Sequence, residues 1–417
     1  MASIAHSVSY TASVPPDALE PPQAGRSLIS RTALALLFFR LGLIGFGGGM
    51  AVVALIELEI VQRRALMDSE EFLHGVALGQ LMGPLAVNTA MFVGSRLYGF
   101  RSGLICAGAF LAPSVVIVIL LSWLYFTYHS IPALQSALAG VAPVVIALIV
   151  SAAWSMGRKA VRSWPAIVLV VVAASLAALK VNSLYLIAAG AIVGAWLGDR
   201  RLSGRPTDLP VAPSPPSELP ASTGSLGVFT GMSLTSAASA MAVAPSLSLL
   251  TWTFLKTGVV FVGGGFVLVP ILHHSLVLSL GWLTEREFLD GVAISNLTPG
   301  PIAVLATFTG YRVHGIVGAL AATLALFAPA VILMSILSRF YAHLKDVNFV
   351  RDLLAGLSPA VVGLVLGAAL LLAPGALIGP AAWGMCALAL ALLLRWRWHP
   401  GFVLALGALA GIAGVVR

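Results

Sequence analysis

Charge is what this chain has least of. Only 9% of its 417 residues are Asp, Glu, Lys or Arg, against 59% hydrophobic, where an ordinary soluble domain is roughly 25% charged. Acids are missing over long distances: none lies between Glu71 and Asp199, and none follows Asp352. Apolar runs of about 20 residues without acids are membrane helices. With a mean hydropathy of +1.01, a soluble fold is excluded. The two cysteines, Cys106 and Cys386, both sit inside apolar runs, which argues against a disulfide framework. The chain contains no G-x-x-x-x-G-K-[ST] loop, no dinucleotide fingerprint and no Cys/His cluster. Nucleotide-driven transport and flavin- or metal-based enzymology therefore find no support, and no cofactor or metal is expected. The first thirty residues are Pro- and Ser-rich, with acids at Asp17 and Glu20. They lack a signal-peptide pattern and read as a disordered tail, 1–30. The net charge of +8 would suggest nucleic acid in a soluble protein. In a membrane protein it reads as basic residues gathered in cytoplasmic loops.

What the chain has is itself, twice. "RLGLIGFGGG" (Arg40–Gly49) returns as "KTGVVFVGGG" (Lys256–Gly265), and "EFLHGVA" (Glu71–Ala77) returns as "EFLDGVA" (Glu287–Ala293). "LAGVAP" (Leu138–Pro143) returns as "LAGLSP" (Leu354–Pro359) at the same spacing. A repeat of half the chain in an apolar protein is the usual build of a secondary transporter. The expected fold is an all-α polytopic membrane protein of about 10–13 membrane segments, some broken or re-entrant. The first repeat spans 31–198 and the second 248–417. The Pro/Ser/Thr-rich stretch between them, 199–247, is a linker.

Basic residues suggest how the copies lie. Arg158, Lys159 and Arg162 follow the fourth apolar stretch of the first half, and the loop after its third has no Lys or Arg. In the second half Arg339, Lys345 and Arg351 follow the third stretch instead. If basic loops face the cytoplasm, equivalent loops lie on opposite sides of the membrane, and the repeats are inverted.

Two elements carry the candidate site. In the first, a cation precedes a glycine triplet: Arg40 before Gly47, Gly48 and Gly49, and Lys256 before Gly263, Gly264 and Gly265. Consecutive glycines weaken or break a helix and let backbone come close to a ligand. The alternative is close helix packing. Cations within a bilayer usually mark substrate paths, although both could snorkel from a helix end. The second element is "QLMGPLAVN" (Gln80–Asn88), matched by "NLTPGPIAV" (Asn296–Val304). Proline removes a donor and disfavours helix before it, so Gly83-Pro84 and Pro299-Gly300-Pro301 should each split an apolar run into two half-helices. The second half-helix then offers free amides to an anion, with Asn88, Asn296 and Thr298 as neutral donors nearby. A proline kink without a ligand is the bland alternative. Glu57, Glu59, His74, His273 and Asp290 are the ionisable groups near apolar segments. They read as surface residues, with proton coupling the less favoured role.

At these motifs the sequence resembles the chromate ion transporter family, long-chain type. The residues that carry the likeness are "FFRLGLIGFGGG" (Phe38–Gly49), "GPLAVN" (Gly83–Asn88), "FVGGG" (Phe261–Gly265) and "PGPIAV" (Pro299–Val304). The resemblance implies efflux of chromate, an oxyanion shaped like sulfate, across the bacterial inner membrane, driven by ion gradients and giving chromate resistance. A carrier of sulfate or another anion, in the import direction, stays open, as does a homodimer.

Overall fold

The computed structural model describes residues 29–45, 49–81, 83–128, 131–161, 163–183, 185–190, 192–193, 246–261, 265–344, 348–396 and 398–415. The expected tail and linker lie almost wholly outside these residues, as do Gly47, Gly48, Gly263 and Gly264. Among the described residues every regular element is helical. The first half gives α1 (Arg31–Ile44), α2 (Gly49–Glu57), α3 (Ser69–Leu81), α4 (Leu85–Tyr98), α5 (Phe100–Tyr128), α6 (Pro132–Ala160) and α7 (Trp164–Ala178). The second gives α8 (Leu247–Val260), α9 (Leu268–His273), α10 (Glu285–Leu297), α11 (Leu305–Leu344), α12 (Asn348–Ala376), α13 (Gly379–Leu394) and α14 (Pro400–Ile412).

Repeat-equivalent residues do equivalent work. Ser30 caps α1 by accepting from the Ala33 amide, and Ser246 caps α8 by accepting from that of Leu249; a capping side chain satisfies a donor the helix cannot. Both helices stop just before their glycine triplets. Gly42 lies so close to the backbone of Phe110 that a Cβ would overlap its carbonyl oxygen, and Gly258 stands in the same relation to Leu326. Gly75 lies under the ring of Phe92, and Gly291 under that of Phe308. The stretch after α2 is a π-helical turn, Leu58–Arg63, and its counterpart after α9 is His274–Ser279. Long α11 combines the counterparts of α4 and α5. It bends at His314 and Gly315 (φ 57°), where the first half has Gly99 (φ 84°) between its two helices.

Contacts fix the relative direction of the copies. Gly94 packs on Ser102, Gly103 and Cys106, and Gly103 on Ser95 and Met91, so α4 and α5 are antiparallel. Ser114 of α5 bonds the carbonyl of Pro299, and further along α5 Phe126 meets Phe308 and Tyr311. Thus α5 runs parallel to the first part of α11, which is the copy of α4. The two copies of this helix are therefore antiparallel, and the repeats are inverted.

The halves also interlock. Gly363 and Gly367 of α12 approach Val170, Ala173, Ala174 and Ala177 of α7, and Gly140 of α6 lies on Gly407 and Gly411 of α14. Small residues of this kind let helix backbones pack closely in lipid. Four helical stretches among the described residues are long and apolar enough to span a bilayer: Phe100–Tyr128, Pro132–Arg158, Ile302–Ile336 and Ser358–Ala376. Shorter apolar helices, α7, α8, α13 and α14 among them, lie alongside.

Candidate functional site

Both Gly/Pro motifs break their helices. α3 ends at Leu81 and α4 starts at Leu85. α10 ends at Leu297, a single 3-10 turn follows at Ile302–Val304, and α11 starts at Leu305. The chain turns through a left-handed glycine in each case, Gly83 (φ 84°) and Gly300 (φ 108°). The two glycines are one position out of register, since Gly83 is equivalent to Pro299 and Gly300 to Pro84. A side chain would be strained at either position.

After each break the first amides are left over. Among the described residues no hydrogen bond engages the amides of Ala86 and Val87, or of their equivalents Ile302 and Ala303. All four residues are buried. Helix-start amides without a partner form an anion-binding surface, with the helix dipole behind it.

The breaks meet across the halves. The Gly300 amide donates to the carbonyl of Gly45, the residue after α1 (2.9 Å). Reciprocally, Gly83 packs against Phe261, the residue after α8, where a Cβ would lie 2.6 Å from the Phe261 carbonyl oxygen. Only one of these crossings is a hydrogen bond, because Pro84 stands where the other half has the Gly300 amide. Within each half, the last glycine of the triplet supports its own break: Gly49 against Leu85, and Gly265 against Ile302. Each half thus contributes one broken segment and one triplet-ended helix to a single crossing.

The polar candidates divide. Asn88 is fully buried and its amide nitrogen donates to the Gly79 carbonyl (3.4 Å), tying α4 to α3 across the break. Asn296 donates to Val292 (2.8 Å) and Thr298 to Ser295 (3.1 Å), so both of these donors serve their own helix end. Arg40 and Lys256 are exposed. Arg40 shares its face of α1 with exposed Leu36, Leu43 and Ile44, and the Lys256 ammonium lies 5.8 Å from the ring centre of Trp252. Neither points into the crossing. Each stands five residues, about 7.5 Å of helix, before the carbonyl that meets the opposite break.

Two ion pairs repeat: Arg96 with Glu71 (2.6 Å) and Arg312 with Glu287 (3.1 Å). Each ties the far end of a broken segment to its near end. Glu59 pairs with Arg63 (2.5 Å) and Arg64 (3.4 Å) at the surface, as expected. His273 departs from the surface expectation: it is buried among the apolar residues of α9 and reaches exposed Glu285 (2.7 Å), and Glu57 is half-buried. The side chain of His74 lies outside the described residues.

Asp290 departs from the surface expectation: it is 2% exposed and accepts a hydrogen bond from the Tyr125 hydroxyl (2.8 Å). Asp290 lies one turn beyond part-buried Glu287 and five residues beyond exposed Glu285, deeper along α10 where that helix meets α5. Tyr125 and Ser114 escaped the sequence reading, since neither falls in a repeated motif.

Inverted helical halves that cross at two broken segments define a transporter-type, multi-pass membrane protein. The chain belongs to the chromate transporter family, whose model, "Chromate transporter", matches residues 32–195 and 248–412. A chromate transport protein of Pseudomonas aeruginosa is 30% identical, the match covering 99% of this chain and 98% of the relative. One of Cupriavidus metallidurans is 28% identical over 87% of this chain and 88% of the relative. A probable chromate transport protein of Synechococcus elongatus is 28% identical over 81% and 84%. No solved structure matches the chain.

Proposed function

We propose that this protein exports chromate across the bacterial inner membrane as a secondary carrier and so confers chromate resistance. The observation that carries the reading is the crossing of the two breaks, with two repeat-equivalent pairs of buried amides (Ala86 and Val87, Ile302 and Ala303) that no hydrogen bond engages among the described residues. Chromate is a tetrahedral dianion, and several amides converging on one spot suit its oxygens. Gly83, Pro84, Pro299, Gly300 and Pro301 set the positions of those amides. Gly47, Gly48 and Gly49, with Gly263, Gly264 and Gly265, let backbone approach the anion. Asn88, Asn296 and Thr298 hold the ends of the breaks. Arg40 and Lys256 draw the dianion toward the crossing from the exposed faces of their helices, and turn toward it as one half rocks against the other. The repeat units are 31–198 and 248–417, with tail 1–30 and linker 199–247 outside the transport machinery.

The test is uptake of labelled chromate by everted inner-membrane vesicles, with and without a proton gradient and with excess sulfate. Export predicts gradient-dependent accumulation that collapses with a protonophore. Accumulation indifferent to the gradient would sink the secondary-carrier reading. Abolition by a small excess of sulfate would favour a sulfate carrier.

A further inference from the structure

Among the described residues, Asp290 is a buried carboxylate whose hydrogen-bond partner is the neutral Tyr125 hydroxyl. We propose that Asp290, with Tyr125 as its partner from the other half, is the proton-binding site that couples anion movement to the proton gradient. The inference rests on the anion-carrier reading and deepens it.

Asp290 sits on α10, whose start is a built cap. The Thr284 side chain accepts from the Glu287 amide (3.1 Å), and the Glu287 carboxylate accepts from the Thr284 amide (2.8 Å). One turn on, Asp290 is 2% exposed, at the meeting of α10 with α5. Its Oδ2 accepts from the Tyr125 hydroxyl. The Tyr125 ring packs on Phe126 and Phe308, with centroids 4.8 and 5.5 Å away. An ionised carboxylate in such a place is costly unless it is paired with a cation.

Among the described residues none supplies that pairing. The charged groups that bear on Asp290 are Arg286 and Glu287 of its own helix. Arg286 is exposed and donates to the backbone carbonyl of Gln135 on α6 (3.4 Å). Glu287 is taken by Arg312 of α11, whose guanidinium also lies 5.5 Å from the ring centre of Phe126. From α5 the titratable partner is Tyr125. No charged group of α6, α12 or α14 among the described residues adds to these.

The chemistry is one proton. With Asp290 ionised, the Tyr125 hydroxyl makes a charge-assisted bond that holds α5 of one half to α10 of the other. Such bonds are about twice as strong as neutral ones. A proton arriving from water forms an O–H bond on the carboxylate and removes its charge, so the tie between halves weakens. Its later release to water restores the tie. Tyr125 keeps its own proton throughout. Proton binding therefore governs when the halves can rearrange, which is what coupling requires.

The experiment uses the full chain in liposomes containing a pH-sensitive dye, with either chromate or sulfate as the driven anion. The wild-type protein should show proton flux that depends on the anion. In Asp290→Asn that flux should fall to the level of empty liposomes, while exchange of anion for anion, which needs no net proton, continues. Tyr125→Phe keeps the ring packing and removes the donor that favours the ionised acid. It should shift the pH dependence of transport toward alkaline values, and it decides the matter if Asp290→Asn fails to fold. Anion-dependent proton flux that survives Asp290→Asn, loss of exchange in that variant when well folded, or an unmoved pH profile in Tyr125→Phe would each overturn the inference while leaving the carrier reading in place. Liposomes in which the wild-type protein moves neither anion would overturn both.

Discussion

A cation well inside an apolar helix is costly in lipid, and this chain carries one at the same place in each half, Arg40 and Lys256. Arg40 and Lys256 stand one turn and a half before the residues whose carbonyls meet the opposite break, on faces that are otherwise exposed and apolar. A charge-assisted contact to an anion contributes about 1.5–3 kcal/mol. Arg40→Ala and Lys256→Ala should therefore each weaken chromate binding by about 10–100-fold, with the protein still folded and in the membrane. Isothermal titration of the purified variants checks this, and unchanged affinity in either variant removes that cation from the site. At this scale the sequence was informative about which residues pair by repeat and uninformative about where they point. Arg40 and Lys256 were legible as equivalents because the 216-residue offset joins them. Their exposure was not, because a cation in an apolar run reads the same whether it faces a cavity or the outside. Asp290 misled for the opposite reason: it follows three charged residues, yet a helix turn carries it from the surface to the inside.

At the scale of the element, each broken segment depends on one left-handed glycine. Gly83 and Gly300 combine a positive φ with close neighbours, the carbonyl of Phe261 and the hydroxyl of Ser114. Gly99 and Gly315 have a positive φ as well, but nothing within 4 Å of an added Cβ. The four alanine variants separate conformation from packing. Gly99→Ala and Gly315→Ala should lose only the left-handed cost of about 1–2 kcal/mol and keep chromate transport. Gly83→Ala must also displace the Phe261 backbone, and Gly300→Ala the Ser114 side chain that bonds the Pro299 carbonyl, and both should lose transport. Vesicle uptake normalised to protein amount reads the difference; equal activity across all four would detach the crossing from function. The breaks themselves were legible, since proline and glycine in an apolar run leave few other conformations. Their meeting across the halves was only partly so. The Gly45–Gly300 bond joins residues far apart in the chain, and Gly83 and Gly300 are one position out of register because the two Gly-Pro pairs lie 217 residues apart, one more than the repeat spacing of 216.

At the scale of the whole molecule, the duplication is an inverted one in which each half completes the other. The triplet-ended helix of one copy abuts the broken segment of its partner, and α12 packs on α7 as α6 does on α13. Inversion was foreshadowed by the basic loops and follows from geometry once α5 is seen parallel to the copy of α4. The interlocking helices carry no charge pattern to announce them. Their small-residue contacts, Gly363 with Ala173 and Gly140 with Gly407, are visible only in three dimensions. Because both breaks feed one crossing, the account predicts a single shared oxyanion site rather than one per half. Equilibrium dialysis of purified, full-length protein against labelled chromate tests this most directly. One chromate should bind per chain, and either Gly83→Ala or Gly300→Ala should abolish it. Two chromates per chain, one lost with each variant, would contradict the shared site.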